Sequence, residues 1–446
     1  MSKRADYMPK DGAASRIFAG DKIMWVVIIT LLVYSIFVVY SNMAYEAASK
    51  ANQKLIMHLL FICLGMTGFF AARLFSVNTY KKWAFAFYIF SLGATLLMVV
   101  LNKGNGAARG LDLKIFTFQP FELLKFATVI LLARQLSTRQ KRMDRLRIMP
   151  SFSPKEWKKN RQKQVDIIMD HSLPILTPIA ICCAITIIFS NSTTLIIALS
   201  CLAMMFLSRV HISDLVKICV TGATLGLLAI SVYKAVDMGH RGDTAVSRLE
   251  NWTPDVITKS VLVGEKDTLE YYKRHTTYAK DGKTIISQEH DQTLYSKLSI
   301  ASGGLIGKGP GQSANRSLSE SDTDMVFAFI IEEYGLIFGG LVIIFAFLLI
   351  FYRSMEIFLK CGTAFPGLMV LGIGTTIVLQ AFLHMLVSVS LFPLTGQQLP
   401  IISNGGSSLL VTLTMLGVLM SVSAKAEQEE MEKQLKEQTQ IQQRER

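Results

Sequence analysis

The sequence predicts an all-α integral membrane protein with ten transmembrane helices, and three observations support this fold class. Of the 446 residues, 51% are apolar. Charged residues make up 18% of the chain, against roughly 25% in an average soluble domain, so they are too few to cover a soluble fold of this size. Apolar runs about as long as a membrane-spanning helix occur ten times. They cover residues 24–44, 55–76, 83–101, 120–136, 173–190, 193–208, 214–234, 325–352, 363–388 and 407–423.

Lys and Arg residues set the expected orientation of these helices. Residues 134–163 hold eleven basic and two acidic side chains, which places them in the cytoplasm by the positive-inside rule. An even number of helices then puts both termini in the cytoplasm. The expected divisions are a cytoplasmic segment 1–23, a membrane domain 24–424 with a basic cytoplasmic loop 137–172 and a large extracytoplasmic loop 235–324 between helices 7 and 8, and a charged cytoplasmic tail 425–446, either a solvated helix or disordered.

The net charge and the cysteines exclude several classes of function. A charge of +13 would suggest a nucleic-acid partner in a soluble protein, but in a membrane protein its position sets orientation, so no nucleic-acid partner is expected. The six cysteines avoid the long polar loops and show no metal-ligand spacing. The sequence therefore predicts neither a disulfide framework nor a metal site. The polar N-terminal stretch is not a cleavable signal peptide.

Three clusters of polar residues fall on the predicted outer face, and the first lies at the mouth of the fourth helix. Arg109 ends a glycine-rich stretch, and Gln119 precedes a proline suited to the first helical turn. Glu122 and Lys125 follow at a spacing of three, which puts them on one helix face. Charged residues inside a membrane indicate a functional site. The alternative is a buried ion pair that locks two helices together.

The second cluster closes the long outer loop. Glycines surround Lys308, where they allow close approach to a ligand or turns of the required hand. Asp324 is the last polar residue before the eighth apolar run, and at the edge of low dielectric it is a candidate general base. The alternative is that Asp322 or Asp324 caps the helix. The acids at 332–333 lie deeper, and we expect them to hydrogen-bond to neighbouring helices.

The third cluster, residues 393–408, reads as a re-entrant-like outer loop because Gly, Pro and polar residues interrupt the apolar pattern. Gly405, Gly406 and the following serines open the last helix and offer N–H groups to an anion. The alternative is a tight turn with a serine cap. Together the clusters suit a diphosphate, a lone carboxylate base and an apolar groove, which predicts action on an anionic, lipid-linked substrate at the outer leaflet. The candidate substrate-binding residues are Arg109, Gln119, Glu122, Lys125, Lys308, Thr323, Thr395, Ser403, Gly405, Gly406 and Ser407.

Three motifs in this order resemble the SEDS family (shape, elongation, division and sporulation), whose members include FtsW and RodA. They are Gln-Pro-Phe-Glu-Leu-Leu-Lys at 119–125, Asp-Thr-Asp-Met-Val-Phe-Ala-Phe-Ile-Ile-Glu-Glu-Tyr-Gly at 322–335 and Leu-Phe-Pro-Leu-Thr-Gly-Gln-Gln-Leu-Pro-Ile-Ile-Ser-Asn-Gly-Gly-Ser-Ser at 391–408. The chain departs from the family pattern at a few positions. These are Gly110, Phe121, Ser190–Thr193, Asp322 and Asn404.

The resemblance implies a multi-pass peptidoglycan glycosyltransferase of the bacterial cytoplasmic (inner) membrane with an extracytoplasmic active face. Such enzymes polymerise lipid II with a class B penicillin-binding protein as transpeptidase, among other divisome or elongasome membrane proteins. Asp324 corresponds to the family's catalytic Asp, and we expect it to act as general base while Arg109 and Lys125 stabilise the leaving diphosphate. No cofactor is evident, although the family sometimes needs a divalent cation.

Three alternatives to a septal polymerase stay open. They are a lipid II flippase, a RodA-type polymerase of cell elongation and a catalytically weak division scaffold. Residues 248–252, Arg-Leu-Glu-Asn-Trp, resemble a stretch of FtsW-type members and favour a role in cell division. A flippase needs a hydrophilic path to both leaflets, whereas the polar clusters here gather on the outer face.

Overall fold

Helices carry nearly all of the regular structure in this computed structural model, which describes residues 19–43, 48–101, 110–112, 117–139, 146–151, 154–187, 190–235, 277–278, 284–285, 288–313, 324–393 and 395–444. The first eight helices are α1 Lys22–Met43, α2 Ala48–Leu74, α3 Val77–Leu101, α4 Pro120–Arg139, α5 Pro154–Lys159, α6 Arg161–Thr186, α7 Asn191–Leu207 and α8 Ile212–Ala235. The others are α9 Gln288–Gly303, α10 Val326–Gly335, α11 Val342–Lys360, α12 Ala364–Ser388 and α13 Gly406–Arg444.

The all-helical prediction is correct apart from two small antiparallel pairs of strands. β1 Leu111–Asp112 pairs with β2 Thr117–Phe118 just before α4, and β3 Thr277–Tyr278 pairs with β4 Thr284–Ile285 before α9. Pairs this short add little stability of their own. The fold class is therefore helical, with these hairpin-like contacts as its departures in the part of the chain that the structure describes.

Each of the ten predicted apolar runs lies largely within a helix. Within the described residues, six helical stretches are long and apolar enough to cross a membrane by length and composition. They are Lys22–Ser41, Asn52–Leu74, Arg161–Thr186, Val326–Lys360, Ala364–Ser388 and Gly406–Arg444. Large apolar side chains such as Phe37, Phe90 and Phe345 are exposed on the outside of the bundle. Such a surface suits a lipid environment.

Several boundaries differ from the sequence-based expectation. Helix α6 begins at Arg161, inside the expected loop 137–172, and passes through a π-helical segment at Ile167–Ser172. The tail is helical to Arg444 as a continuation of α13, which was one of its two expected forms. Helix α9 lies inside the expected loop 235–324 and packs against α10. The search for apolar runs did not predict this helix because its sequence is polar.

The centre of the bundle is formed by α12 and α13. Helix α12 packs against α4, α7 and α11, and α13 packs along α2. Small residues allow the second contact, since a Cβ at Gly417 would lie 2.3 Å from the Phe69 carbonyl oxygen. Close approach at glycine is typical of membrane helix pairs, which gain no hydrophobic driving force from lipid.

Asp21 ties the start of α1 to two other helices. One carboxylate oxygen accepts the Met24 N–H at 2.9 Å, which caps α1. The other accepts the Arg353 Nε–H of α11 at 2.6 Å. The Asp21 N–H donates to the Ser423 hydroxyl of α13 at 3.0 Å. These bonds hold the start of α1 against α11 and α13 on the side predicted to face the cytoplasm.

Candidate functional site

Asp324, the predicted general base, lies half-buried in the turn that leads into α10. The helix begins at Val326 with Met325 as its cap residue, so Asp324 precedes the cap by one position. Both following side chains are buried, and Val326 is fully buried. The carboxylate is thus placed at the rim of the helical bundle. Its predicted neighbours Asp322 and Thr323 lie outside the described residues, so the proposal that Asp322 caps the helix is untested.

Lys308 forms an ion pair with a glutamate of α10. Its Nζ donates to Glu332 Oε1 at 2.7 Å, and the Lys308 side chain is 28% exposed while that of Glu332 is fully buried. The Ser313 hydroxyl donates to the other Glu332 oxygen at 2.7 Å, and the Ser302 hydroxyl lies 3.3 Å from Oε1. Ser302 at the end of α9 and two groups of the following loop therefore meet on a single carboxylate.

Glu333 forms hydrogen bonds with α1 and with the loop around Lys308. The Ser41 hydroxyl of α1 donates to its Oε2 at 2.5 Å, and the Gly311 N–H donates to its Oε1 at 3.0 Å. The Gly311 N–H also lies 2.7 Å from the Ser41 hydroxyl. The prediction that the two acids hydrogen-bond to neighbouring helices is confirmed, and in addition both of them hold the loop that precedes the site.

The glycines around Lys308 make turns and allow backbone to meet backbone. Gly307 and Gly335 have φ of +92° and +77°, which side-chain-bearing residues rarely adopt. A Cβ at Gly303 would lie 2.1 Å from the Ile331 carbonyl oxygen, and one at Gly307 would lie 2.3 Å from the Glu333 carbonyl oxygen. The sequence predicts that these glycines either make turns or allow close approach to a ligand. The structure shows the turns, and the close approach that it shows is between the loop and α10.

The first cluster forms a buried ion pair. Lys125 Nζ donates to Glu122 Oε2 at 2.7 Å, and their side chains are 2% and 4% exposed. The same Nζ donates to Gln380 Oε1 of α12 at 2.5 Å. The pair links α4 to α12, as the alternative of an ion pair that locks two helices predicts. Gln119 lies just before α4, where its carbonyl accepts the Glu122 N–H at 3.1 Å. Arg109 lies outside the described residues.

The third cluster enters the bundle as a buried loop held by side chains. The Ser192 hydroxyl donates to the Thr395 carbonyl at 2.9 Å, and Gln380 Nε2 donates to the Gln398 carbonyl at 3.1 Å. His384 Nδ1 lies 2.7 Å from the Gln397 carbonyl, so it carries the proton. Irregular backbone at membrane depth is thus satisfied by protein groups, as a re-entrant loop requires.

Close packing rather than an open cradle surrounds the glycines at the start of α13. A Cβ at Gly405 would lie 1.8 Å from Gln398 Oε1, and one at Gly406 would lie 2.6 Å from the Phe61 ring. Ser403 closes a tight turn, because its hydroxyl accepts the Leu399 N–H at 2.8 Å. Ser407 is buried in the first turn of α13. The loop therefore fits the alternative of a tight turn. The serine that stabilises it is Ser403, which lies within the turn and not at the helix cap.

The structure joins the first and third clusters into one network through Gln380, while the second cluster forms a network around the two acids of α10.

Sequence reasoning missed Gln380, His384 and Ser41. A signal was present, since Gln380 and His384 are polar residues one turn apart inside an apolar run. Among the described residues, no group of three or more His, Cys, Asp or Glu side chains is placed to hold a metal ion.

Comparisons with known proteins agree with this architecture. The sequence model of the FtsW, RodA and SpoVE family, described as "Cell cycle protein", matches residues 21–428. A relative from Geobacter sp. (strain M18), named "Probable peptidoglycan glycosyltransferase FtsW", is 27% identical over 92% of this chain and 98% of its own. "Peptidoglycan glycosyltransferase MrdB" of Escherichia coli (strain K12) is 24% identical over 90% and 93%.

A solved structure has the same fold. It is described as "Structural coordination of polymerization and crosslinking by a peptidoglycan synthase complex" and superposes with a TM-score of 0.62 at 18% identity, over 91% of this chain and 98% of that chain. The match of the family model covers most of the sequence, from the start of α1 into α13. The chain therefore belongs to the FtsW, RodA and SpoVE family, the SEDS family that its three motifs indicate.

Proposed function

We propose that this protein is a peptidoglycan glycosyltransferase that polymerises lipid II into glycan strands during septal cell-wall synthesis, with Asp324 as its general base. Relatives that share most of the chain's length are named peptidoglycan glycosyltransferases. The observation that carries the assignment is the place of Asp324, half-buried at the mouth of α10 and within the matched region 21–428. That position suits a carboxylate that must meet a membrane-bound substrate from the outer side.

The proposed topology has ten spans, with both termini in the cytoplasm and loop 235–324 outside. The basic residues between α4 and α6 support it. The proposed divisions are the segment 1–23, the membrane domain 24–424 and the tail 425–446. This arrangement puts Asp324 on the extracytoplasmic side of the bacterial inner membrane.

In the proposed reaction, Asp324 takes the proton of the acceptor sugar's 4-hydroxyl as that oxygen attacks the anomeric carbon of the donor. The bond from that carbon to the diphosphate breaks, and the diphosphate leaves with the bonding electron pair. One in-line displacement inverts the anomeric carbon. Arg109 and Lys125 stabilise the charge on the leaving group. Because Lys125 is buried against Glu122 and Gln380, its contact with the diphosphate requires the groups that cover it to move.

The proposed partner is a class B penicillin-binding protein that cross-links the strands. The similar solved structure is described as a synthase complex that coordinates polymerization and crosslinking. An FtsW-type role in division is favoured over a RodA-type role in elongation by residues 248–252. Other divisome or elongasome membrane proteins are further proposed contacts. Whether a divalent cation takes part stays open, and adding a chelator to the polymerisation assay tests it.

The central experiment is polymerisation of lipid II by the full chain, purified with its penicillin-binding partner. Wild type is expected to produce glycan chains, and Asp324→Ala to lose about 10²-fold or more of the rate, as for removal of a general base. Thermal unfolding in detergent checks that the variant folds. Chains from both proteins would remove Asp324 from the mechanism. Chains from neither would favour a flippase or a scaffold, which a lipid II transport assay in vesicles separates.

A further inference from the structure

The membrane helix that follows Asp324 is broken, and an earlier stretch of chain repairs the break. Regular helix ends at Gly335, where φ is +77°, and resumes after a π-helical segment at Leu336–Leu341. Such a break leaves main-chain N–H and C=O groups without helical partners. In a membrane each unsatisfied group costs several kcal/mol. The chain therefore needs other partners at this point.

Residues 304–309 supply those partners in both directions. The N–H groups of Lys308 and Gly309 donate to the carbonyls of Glu332 and Glu333, each at 2.9 Å. The Leu336 and Ile337 N–H groups donate to the carbonyls of Gly304 and Leu305, at 3.0 and 3.1 Å. The loop 304–309 and the helix around Gly335 therefore donate main-chain hydrogen bonds to each other, and we call this pairing the main-chain exchange.

The side chains of the two acids reinforce this insertion along the rest of the loop. Glu332 binds Lys308 and Ser313, and Glu333 binds the Gly311 N–H. Ser313 is the last residue described before Asp324, and α10 begins two residues after Asp324. Glu332 itself lies about two helical turns beyond Asp324. The loop that ends at Ser313 is therefore attached, through Glu332, to the helix that begins just after Asp324.

From this geometry, and resting on the proposed function above, we propose that Glu332 is a positioning residue for Asp324. It neutralises Lys308 and holds Ser313, and so fixes the loop 304–313 against α10, the helix whose start carries Asp324. Lys308 then acts through Glu332 rather than by contact with the diphosphate. This differs from the substrate-binding role that the sequence predicts for Lys308.

Charge-matched variants distinguish the two roles of Lys308. Glu332→Gln removes the negative charge that Lys308 pairs with, and Lys308→Met removes the positive charge of the same pair. Each is expected to lower kcat for lipid II polymerisation about 10- to 100-fold with little change in KM, because a small misplacement of a catalytic group has effects of this size. The double variant Glu332→Gln/Lys308→Met removes both charges together and is expected to recover most of the lost kcat.

A matched control removes a weaker bond to the same carboxylate. Ser302→Ala deletes the 3.3 Å contact with Glu332 and leaves the ion pair intact, so its kcat is expected to stay within about threefold of wild type. A higher KM for Lys308→Met, with no recovery in the double variant, would show that Lys308 binds substrate directly and would overturn the proposal. Wild-type kcat in Glu332→Gln would overturn it as well.

A second readout does not depend on polymerisation. In an Asp324→Cys background whose six native cysteines are replaced by alanine, the rate of labelling by a charged maleimide reports the exposure of position 324. Adding Glu332→Gln is expected to change this rate about threefold or more, and adding Ser302→Ala is expected to leave it unchanged. Equal rates in the first comparison would refute the positioning role. A wild type that makes no glycan would refute the proposed function, while the labelling comparison would still decide the role of Glu332.

Discussion

Two stretches of irregular backbone enter the helical bundle, and they are held by different means. Residues 304–311 join the broken helix by main-chain exchange, which requires glycine at Gly303, Gly307 and Gly335. Residues 395–405 are held mainly by side chains of α7 and α12. The first stretch depends on the absence of side chains, whereas the second depends on polar side chains inside apolar helices. An added side chain should therefore disrupt the first region most, and the loss of a polar side chain should disrupt the second.

The largest expected effect tests the first region by adding one methyl group. Gly335→Ala forces a side chain into a glycine-only conformation and places its Cβ 2.3 Å from the Ile306 carbonyl carbon. Strain and overpacking together should destabilise the protein by about 4 kcal/mol or more. Thermal unfolding in detergent measures this loss.

Gly93→Ala is the matched control for that substitution. Gly93 lies inside α3, where a Cβ would meet no atom within 4 Å, and alanine there should stabilise the helix by up to about 1 kcal/mol. Equal unfolding temperatures for the two variants would show that the break at Gly335 is not held as the structure indicates.

A smaller effect is expected when the ion pair behind the second region is broken. Glu122→Gln leaves the buried Lys125 without its counter-charge and should cost about 3 kcal/mol. The double variant Glu122→Gln/Lys125→Met should recover most of this stability. If Lys125 also stabilises the diphosphate, polymerisation stays low in the double variant. Recovery of both properties would assign the pair a structural role alone.

Neighbouring glutamines test the second region more finely. Gln397 Nε2 donates to the hydroxyls of Ser190 and Thr193, at 3.2 and 3.0 Å. Gln397→Leu leaves those buried groups without this donor and should cost about 2 kcal/mol. Gln398 Oε1 has no hydrogen-bond partner among the described atoms, so Gln398→Leu should cost less than about 1 kcal/mol. A reversed order would contradict the described loop conformation.

The smallest expected difference compares two serines of α1, one for each region. Ser41 donates to the Glu333 carboxylate and accepts the Gly311 N–H. Ser35 donates to the Ile402 carbonyl at 3.2 Å and is bonded to His58 Nε2 at 2.8 Å. Bonds to charged groups are the stronger kind. Ser41→Ala should therefore cost about 1.5 kcal/mol and Ser35→Ala about 1 kcal/mol. Chemical or thermal unfolding of both variants in one detergent checks the order.

The sequence was sufficient for features that repeat locally and insufficient for those that join distant residues. Apolar length predicted the helices, and a spacing of three put Glu122 and Lys125 on one face. Helix α9 was missed because its sequence is polar, and the break at Gly335 was missed because it lies inside an apolar run. Neither periodicity nor spacing shows that the loop around Lys308 pairs with that break.

The candidate site shows the same division. The placement of Asp324 beside the start of a buried helix follows from the end of an apolar run. The partner of Lys125 on α12 and the partner of Lys308 on α10 do not, because each depends on how separate segments of the chain pack together. The roles of the substrate-binding candidates stay predictions, with Arg109 and Thr323 outside the described residues.

The main-chain exchange at Gly335 also constrains how the protein is made. Residues 304–309 are synthesised before residues 332–337, so the partners of the break already exist when that helix enters the bilayer. The segment 326–360 on its own would gain by straightening through Gly335 into regular helix, since lipid offers no partners to the freed groups. The broken form is therefore a property of the assembled chain, and it is acquired only when the preceding loop has docked.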